Sequence, residues 1–324
     1  MPNDEHVVHH QRINYIDVAK ASCIFLMIVG HWTTNNVLIS YIYSFHMPAL
    51  LVISGILFKP RSWRKTVIAF SVPVLFFSLF NLCVKIILGE IRIESISLYQ
   101  VFFQVFHYRY GLGETLFVGD WFLWALLGLR FIFGDIYWLR SLRRFYIPIV
   151  LFSVLYMTFE SKLISVDTLF RGYLIGRLVP SLPFFCFGFF LKDRLWSPNQ
   201  LSFKYVPILV ILFIIIPIFN DAHGIVANDY GYTYILFATC AILSTILLFW
   251  ISNKVPTLRV IQTISKGTLV VLGAHSPILH ILNRILPDAF NFIFPFITIV
   301  VCYYIILLCD RYFPILLGKV NNVI

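Results

Sequence analysis

The sequence predicts an all-α, polytopic membrane bundle, and three observations carry that prediction. Hydrophobic residues make up 60% of the 324-residue chain and charged residues only 12%, about half the charged share of a soluble domain. Apolar segments of spanning length recur about ten times. Within them apolar residues run continuously instead of alternating, which is not the pattern of a transmembrane β-barrel. Open strands cannot satisfy their backbone in lipid, so the segments are read as helices.

The elements follow in order. Residues 1–14 form a polar tail that carries His6, His9 and His10. No small-residue cleavage site follows the first apolar run, so that run is expected to stay as a spanning helix. Spans are placed at 15–35, 41–58, 66–88, 118–134, 146–160, 171–191, 205–220, 231–252, 268–286 and 290–309. The largest polar stretch, about 89–118, holds Glu90, Glu94, His107, Arg109 and Glu114 and is expected to cap the outer side. A single membrane domain over 1–324 is expected, with no clear internal repeat.

Cation placement gives the orientation. Arg12 and the loops at 59–65, 140–144, 192–204, 254–266 and 311–319 carry sixteen lysines and arginines. The alternate loops carry four: Arg92, Arg109, Lys162 and Arg284. Cytoplasmic loops are the cation-rich ones, so both termini are expected in the cytoplasm of a multi-pass cell-membrane protein. The net charge of +10 is spread over short loops, and nucleic-acid binding is not expected. The six cysteines all lie in apolar segments with no CxxC spacing and read as reduced, buried side chains.

Polar residues inside these segments are the informative ones, because burying a charge in a membrane is costly. Lys20 and His31 lie in IDVAKASCIFLMIVGHW. Eleven steps of roughly 100° bring them to one helix face, and Asp17 falls within about 40° of it. Their separation from His31, about 16–21 Å along the axis, excludes a direct orienting contact. His46, in YSFHMP, is expected at a depth similar to His31, about 7–8 Å below the outer boundary. Each imidazole is either a general base for a hydroxyl or a buried side chain bonding a backbone carbonyl. Arg177 and His275 are expected near mid-membrane, facing a cavity. The loop FKPRSWRK places Arg61, Arg64 and Lys65 beside Trp63. Such a cluster either holds the phosphates of a nucleotide-like donor or simply sets topology.

Several of these segments, in this order, resemble the membrane acyltransferase-3 family, in particular its glycan O-acetylase members of the fucose 4-O-acetylase type. The resemblance covers nearly the whole chain. It rests on the first helix with Lys20 and His31, on FHMPALLVISGILF over 45–58, and on Arg61-Ser-Trp-Arg64. It rests further on Asp120-Trp121-Phe122-Leu123, on Pro183-Phe184-Phe185 with Gly188, and on Ser265-Lys266-Gly267-Thr268-Leu269 followed by His275. The resemblance implies acyl transfer, usually of acetyl, from cytoplasmic acetyl-coenzyme A to a hydroxyl of a surface glycan or its lipid-linked precursor. It implies that His31 is essential and that Arg61 and Arg64 help bind or admit the donor; His46 and Asp17 are further catalytic candidates from their place inside the first two spans. Lys20, Arg61, Arg64 and Lys65 become donor-binding candidates, and Trp121 joins Arg177 and His275 as a cavity candidate. No metal or bound cofactor is implied. The rival reading is a membrane transporter or exporter of a glycan or small molecule.

Overall fold

The computed structural model describes residues 13–95, 121–163, 175–193, 197–225, 227 and 229–320. All regular structure among the described residues is helical. The helices are α1 Asn14–Trp32, α2 Asn36–Tyr43, α3 His46–Ile56, α4 Trp63–Ile87, α5 Trp121–Arg130, α6 Tyr146–Leu163, α7 Ile175–Asp193, α8 Val206–Asn220, α9 Tyr234–Ser252, α10 Arg259–Lys266, α11 Thr268–Ile285 and α12 Phe294–Tyr312. The histidine tail, His107, Arg109, Glu114 and Asp120 lie outside the described residues.

Each of the ten expected segments overlaps a helix, but length and composition qualify fewer of them to cross a membrane. Among the described residues six do: Asn14–Trp32, Asn36–Ile56, Trp63–Ile87, Phe203–Asn220, Tyr234–Ser252 and Phe290–Tyr312. The others fall short for visible reasons. α5 has 10 residues and runs into a single π turn at Phe131–Asp135, where Gly134 takes φ 148°. Only Tyr146–Phe159 of α6 is apolar. α7 carries Arg177, Lys192, Pro180 and Pro183. α11 carries His275, Pro277, His280 and Arg284.

α3 is the central helix. Every residue in it except Ser54 is buried, the expectation for a helix that is apolar all round. Its close partner is α7. A Cβ on Gly55 would lie 2.2 Å from the Phe185 carbonyl oxygen, and one on Gly188 would lie 1.9 Å from that of Val52. The two backbones meet through small residues, as packed membrane helices do. Phe58, Phe133, Phe185 and Phe189 fill the layer at the α3 C-terminus, with ring centres 5.1–6.1 Å apart. At the periphery, α8 turns Ile208, Ile211, Ile215, Ile218 and Phe219 outward, a lipid-facing surface.

All six cysteines are free thiols. Five are buried as expected; Cys83 is exposed, because it sits on the outward face of α4 with Leu79 and Phe80.

Candidate active site

A row of aromatic rings crosses the bundle. His31 of α1 faces His275 of α11, ring centres 5.0 Å apart. Its other neighbour is Tyr43 of α2, at 6.2 Å. Tyr43 in turn lies 5.2 Å from His46. His46 and His275 are buried. His31, at the end of α1, is exposed although the Tyr43 and His275 rings lie beside it.

The backbone accounts for each position. α1 ends just after His31, and Thr33 continues in extended conformation. α2 then descends until Tyr43 lies against Gly30, whose added Cβ would sit 3.2 Å from the Tyr43 ring. His31 is therefore level with the foot of α2. His46 lies deeper than expected, midway along Asn36–Ile56, at the break between α2 and α3. Phe45 leaves helical geometry there, with φ −144° and ψ −26°, and Pro48 supplies no N–H to continue the ladder. The break exposes the Ile42 carbonyl, and His46 Nδ1 bonds it at 2.7 Å.

His275 is seated by glycine contacts. A Cβ on Gly267 would meet Ile306 of α12 at 2.2 Å, and one on Gly273 would meet Phe77 of α4 at 2.3 Å. His275 Nδ1 bonds the Val271 carbonyl at 2.9 Å. A carbonyl only accepts, so in neutral His46 and His275 the proton lies on Nδ1 and the lone pair on Nε2. His275 Nε2 is buried and has no hydrogen-bond partner among the described residues. Buried acceptors are seldom left so.

A loop between α8 and α9 covers Tyr43. Asn220 holds it, donating from Nδ2 to the Tyr230 carbonyl and accepting at Oδ1 from the Thr233 amide. Asp221 takes the left-handed conformation and Ala222, Ile225 and Tyr230 turn into the core. Gly224 comes so close to the Tyr43 carbonyl that a Cβ would stand 3.0 Å from it.

The basic end is also ordered. The buried Asp135 carboxylate accepts from the Arg61 amide at 2.8 Å, Thr66 Oγ1 at 2.5 Å and Arg130 Nε at 2.9 Å. Arg61 Nε donates to Thr66 Oγ1 at 2.9 Å. Arg130 and Lys192 donate to the Lys59 and Phe58 carbonyls, placing cations at the negative end of α3. Burial, then the nearby Arg130 charge, lowers the Arg61 pKa from its ordinary value, and Asp135 opposes them. Arg64 is exposed and lies over the Trp63 ring at 5.6 Å; Lys65 is half-buried.

A family model described as an acyltransferase domain matches residues 13–309. The chain belongs to the membrane acyltransferase-3 family. Both the histidine row and the basic end of the acyltransferase fall inside the matched stretch. No curated protein and no solved structure matches the chain.

The structure brings together His31 and His275 directly, and His46 through Tyr43. It does not bring Asp17 to the row. Asp17 accepts a 2.6 Å hydrogen bond from Ser265 Oγ of α10, roughly 21 Å along α1 from His31. Lys20 is half-buried on the way. Arg177 is buried in the first turn of α7, nearer a helix end than the middle of a span. Trp121 is buried at the start of α5, edge-on to Phe122. His223 and His280 form exposed pairs with Asp229 and Glu90. Sequence reasoning missed Tyr43, Arg130 and Asp135. Arg130 and Asp135 did carry a signal, since they are the two charges that close the apolar run 118–134.

Proposed function

We propose that this acyltransferase moves an acetyl group from cytoplasmic acetyl-coenzyme A to a hydroxyl of a surface glycan or its lipid-linked precursor. His31 is the general base. The observation that carries the reading is the exposed His31 ring against His275, whose buried Nε2 has no hydrogen-bond partner among the described residues.

The chemistry follows from those groups. An alcohol is a weak nucleophile until its proton is removed, and an imidazole titrates near neutral pH. His31 takes the hydroxyl proton as the oxygen attacks the thioester carbonyl carbon. The new C–O bond forms, the C–S bond breaks, and the proton passes from His31 to the departing thiolate. His275, held by the Val271 carbonyl, accepts a hydrogen bond at Nε2 from the acceptor or from protonated His31. His46 keeps Tyr43 and the α2–α3 break in place. Arg61, Arg64 and Lys65 bind donor phosphates, and Lys20 guides the donor's arm along the α1 face.

The same reading sets the topology. α5, α6, α7 and α11 complete ten crossings of the cell membrane beside the six long apolar helices, with both termini and the 59–65 loop cytoplasmic. The cation bias of the loops supports it.

The test uses protein in liposomes supplied with radiolabelled acetyl-coenzyme A and a lipid-linked oligosaccharide. Wild type should release free thiol and label the oligosaccharide. His31→Ala should insert and bind coenzyme A but label nothing. Labelling by His31→Ala above about a tenth of the wild-type rate removes the general-base role, since such catalysis contributes about 10²–10⁴-fold.

A further inference from the structure

Asp135 lies outside every motif by which the chain was read, yet it organises the basic end. Its carboxylate is buried and accepts four hydrogen bonds: the Arg61 amide, the Thr66 hydroxyl, Arg130 Nε, and Arg130 Nη2 at 3.2 Å. It follows Gly134, whose φ of 148° turns the chain sharply enough to aim the carboxylate back at the loop before α4. A β-carbon at Gly134 would be strained in that conformation.

The consequence is in the groups left over. Thr66 gives its proton to Asp135 and accepts from Arg61 Nε. Asp135 thus holds Arg61 at its backbone directly and at its side chain through Thr66. Arg61 Nη1 and Nη2, and Arg130 Nη1, bond no protein atom among the described residues. One carboxylate thus serves both arginines, Arg130 through its guanidinium and Arg61 through its backbone amide and Thr66. Arg61, Arg130 and Asp135 together keep one net positive charge, and the three NH₂ groups that bond no described protein atom are the planar donor set that suits a phosphate.

We infer that Asp135 is a positioning residue for the donor: it orients Arg61 and Arg130 toward the phosphates of the acyl-coenzyme A. The inference rests on the donor reading of Arg61 proposed above.

Coenzyme A is titrated calorimetrically into purified wild type, Asp135→Asn, Arg61→Ala, the Asp135→Asn/Arg61→Ala pair and Thr66→Val, each checked for a monodisperse peak. Asp135→Asn and Arg61→Ala should each weaken coenzyme A about tenfold, the scale of losing one ordered charge-assisted contact. The pair should fall well short of the roughly hundredfold loss that additivity gives, because part of what Asp135 does is done through Arg61. Thr66→Val should weaken binding in the same direction by about threefold, the smaller loss expected for a neutral bridge. A purely structural role would reduce the competent fraction, seen as stoichiometry, and leave Kd in place. An unchanged Kd for Asp135→Asn, with Arg61→Ala weakened, overturns the positioning role and keeps the donor site. Full additivity in the pair overturns it as well. If neither single variant weakens binding, the donor reading fails and this inference with it. If Asp135→Asn is not monodisperse, Thr66→Val decides: an unchanged Kd there overturns the proposal.

Discussion

His31 and His275 meet ring to ring, 5.0 Å apart and tilted by 44°, from opposite ends of the chain. α1 delivers one and α11 the other, with α11 seated closely against α12 at Gly267 and against α4 at Gly273. If the two act as a unit, His275→Ala should lower acetyl transfer by about 10²-fold or more while coenzyme A binding is retained. Adding His31→Ala should then cost little more, because groups that act together are strongly non-additive. Single-turnover rates of the three variants provide the check. Independent, multiplying losses would separate the two histidines.

The donor site yields a graded expectation. Arg61 is half-buried and fixed by Thr66 and Asp135, whereas Arg64 is exposed and stacks on Trp63. Arg61→Ala should raise the apparent KM for acetyl-coenzyme A by about 10- to 150-fold, the size of a charge-assisted contact of roughly 1.5–3 kcal/mol. Arg64→Ala should raise it less. Initial rates at varied donor, with kcat little changed, test the order; the reverse order would place the phosphates outside the Asp135 cluster.

Asp17 separates stability from chemistry. Its buried carboxylate accepts from Ser265 across the α1–α10 contact. Ser265→Ala should cost about 1–3 kcal/mol, lowering the thermal midpoint in detergent. The kcat of the surviving folded protein should be unchanged. A matching fall in kcat without loss of stability would return Asp17 to the catalytic group.

The α3–α7 contact tolerates no added carbon. Gly188→Ala places a methyl where the Val52 carbonyl oxygen now stands, and backbone at that distance cannot move aside as a side chain can. The cost should exceed the usual 1–3 kcal/mol of overpacking. Yield of monodisperse protein measures it. Gly128→Ala, whose new Cβ meets only the tip of Leu178 at 3.0 Å, should be much milder.

Topology is open to labelling. Ser62→Cys should react with an impermeant maleimide only from the cytoplasmic side, and Asn35→Cys only from the outer side. Both residues are exposed in loops. Exposed Cys83 must first be replaced by Ala. Reaction of both positions from one side would refute the orientation drawn from the loop cations.

Much of the architecture was legible in the order of residues. Membrane insertion depends on transfer of apolar side chains, a term that adds along the chain, so the helical segments could be placed without knowing their neighbours. The shared face of Lys20 and His31 was legible for the same reason: helix periodicity is local. Span number was harder. α5 and α7 are shortened or interrupted by Gly134, Pro180 and Pro183, whose effects depend on what packs beside them.

The tertiary structure decided the site. His31 lies against His275, and not directly against His46, because the α2–α3 break at Phe45 drops His46 a level lower and puts Tyr43 between them. Arg61 and Asp135 are joined only when the positive φ of Gly134 turns the carboxylate toward the loop before α4. Such contacts link distant parts of the chain, and their energies depend on burial and on donor–acceptor geometry that no local pattern encodes. By itself the sequence determined which residues would be costly to bury in a membrane; the fold decided which of them meet.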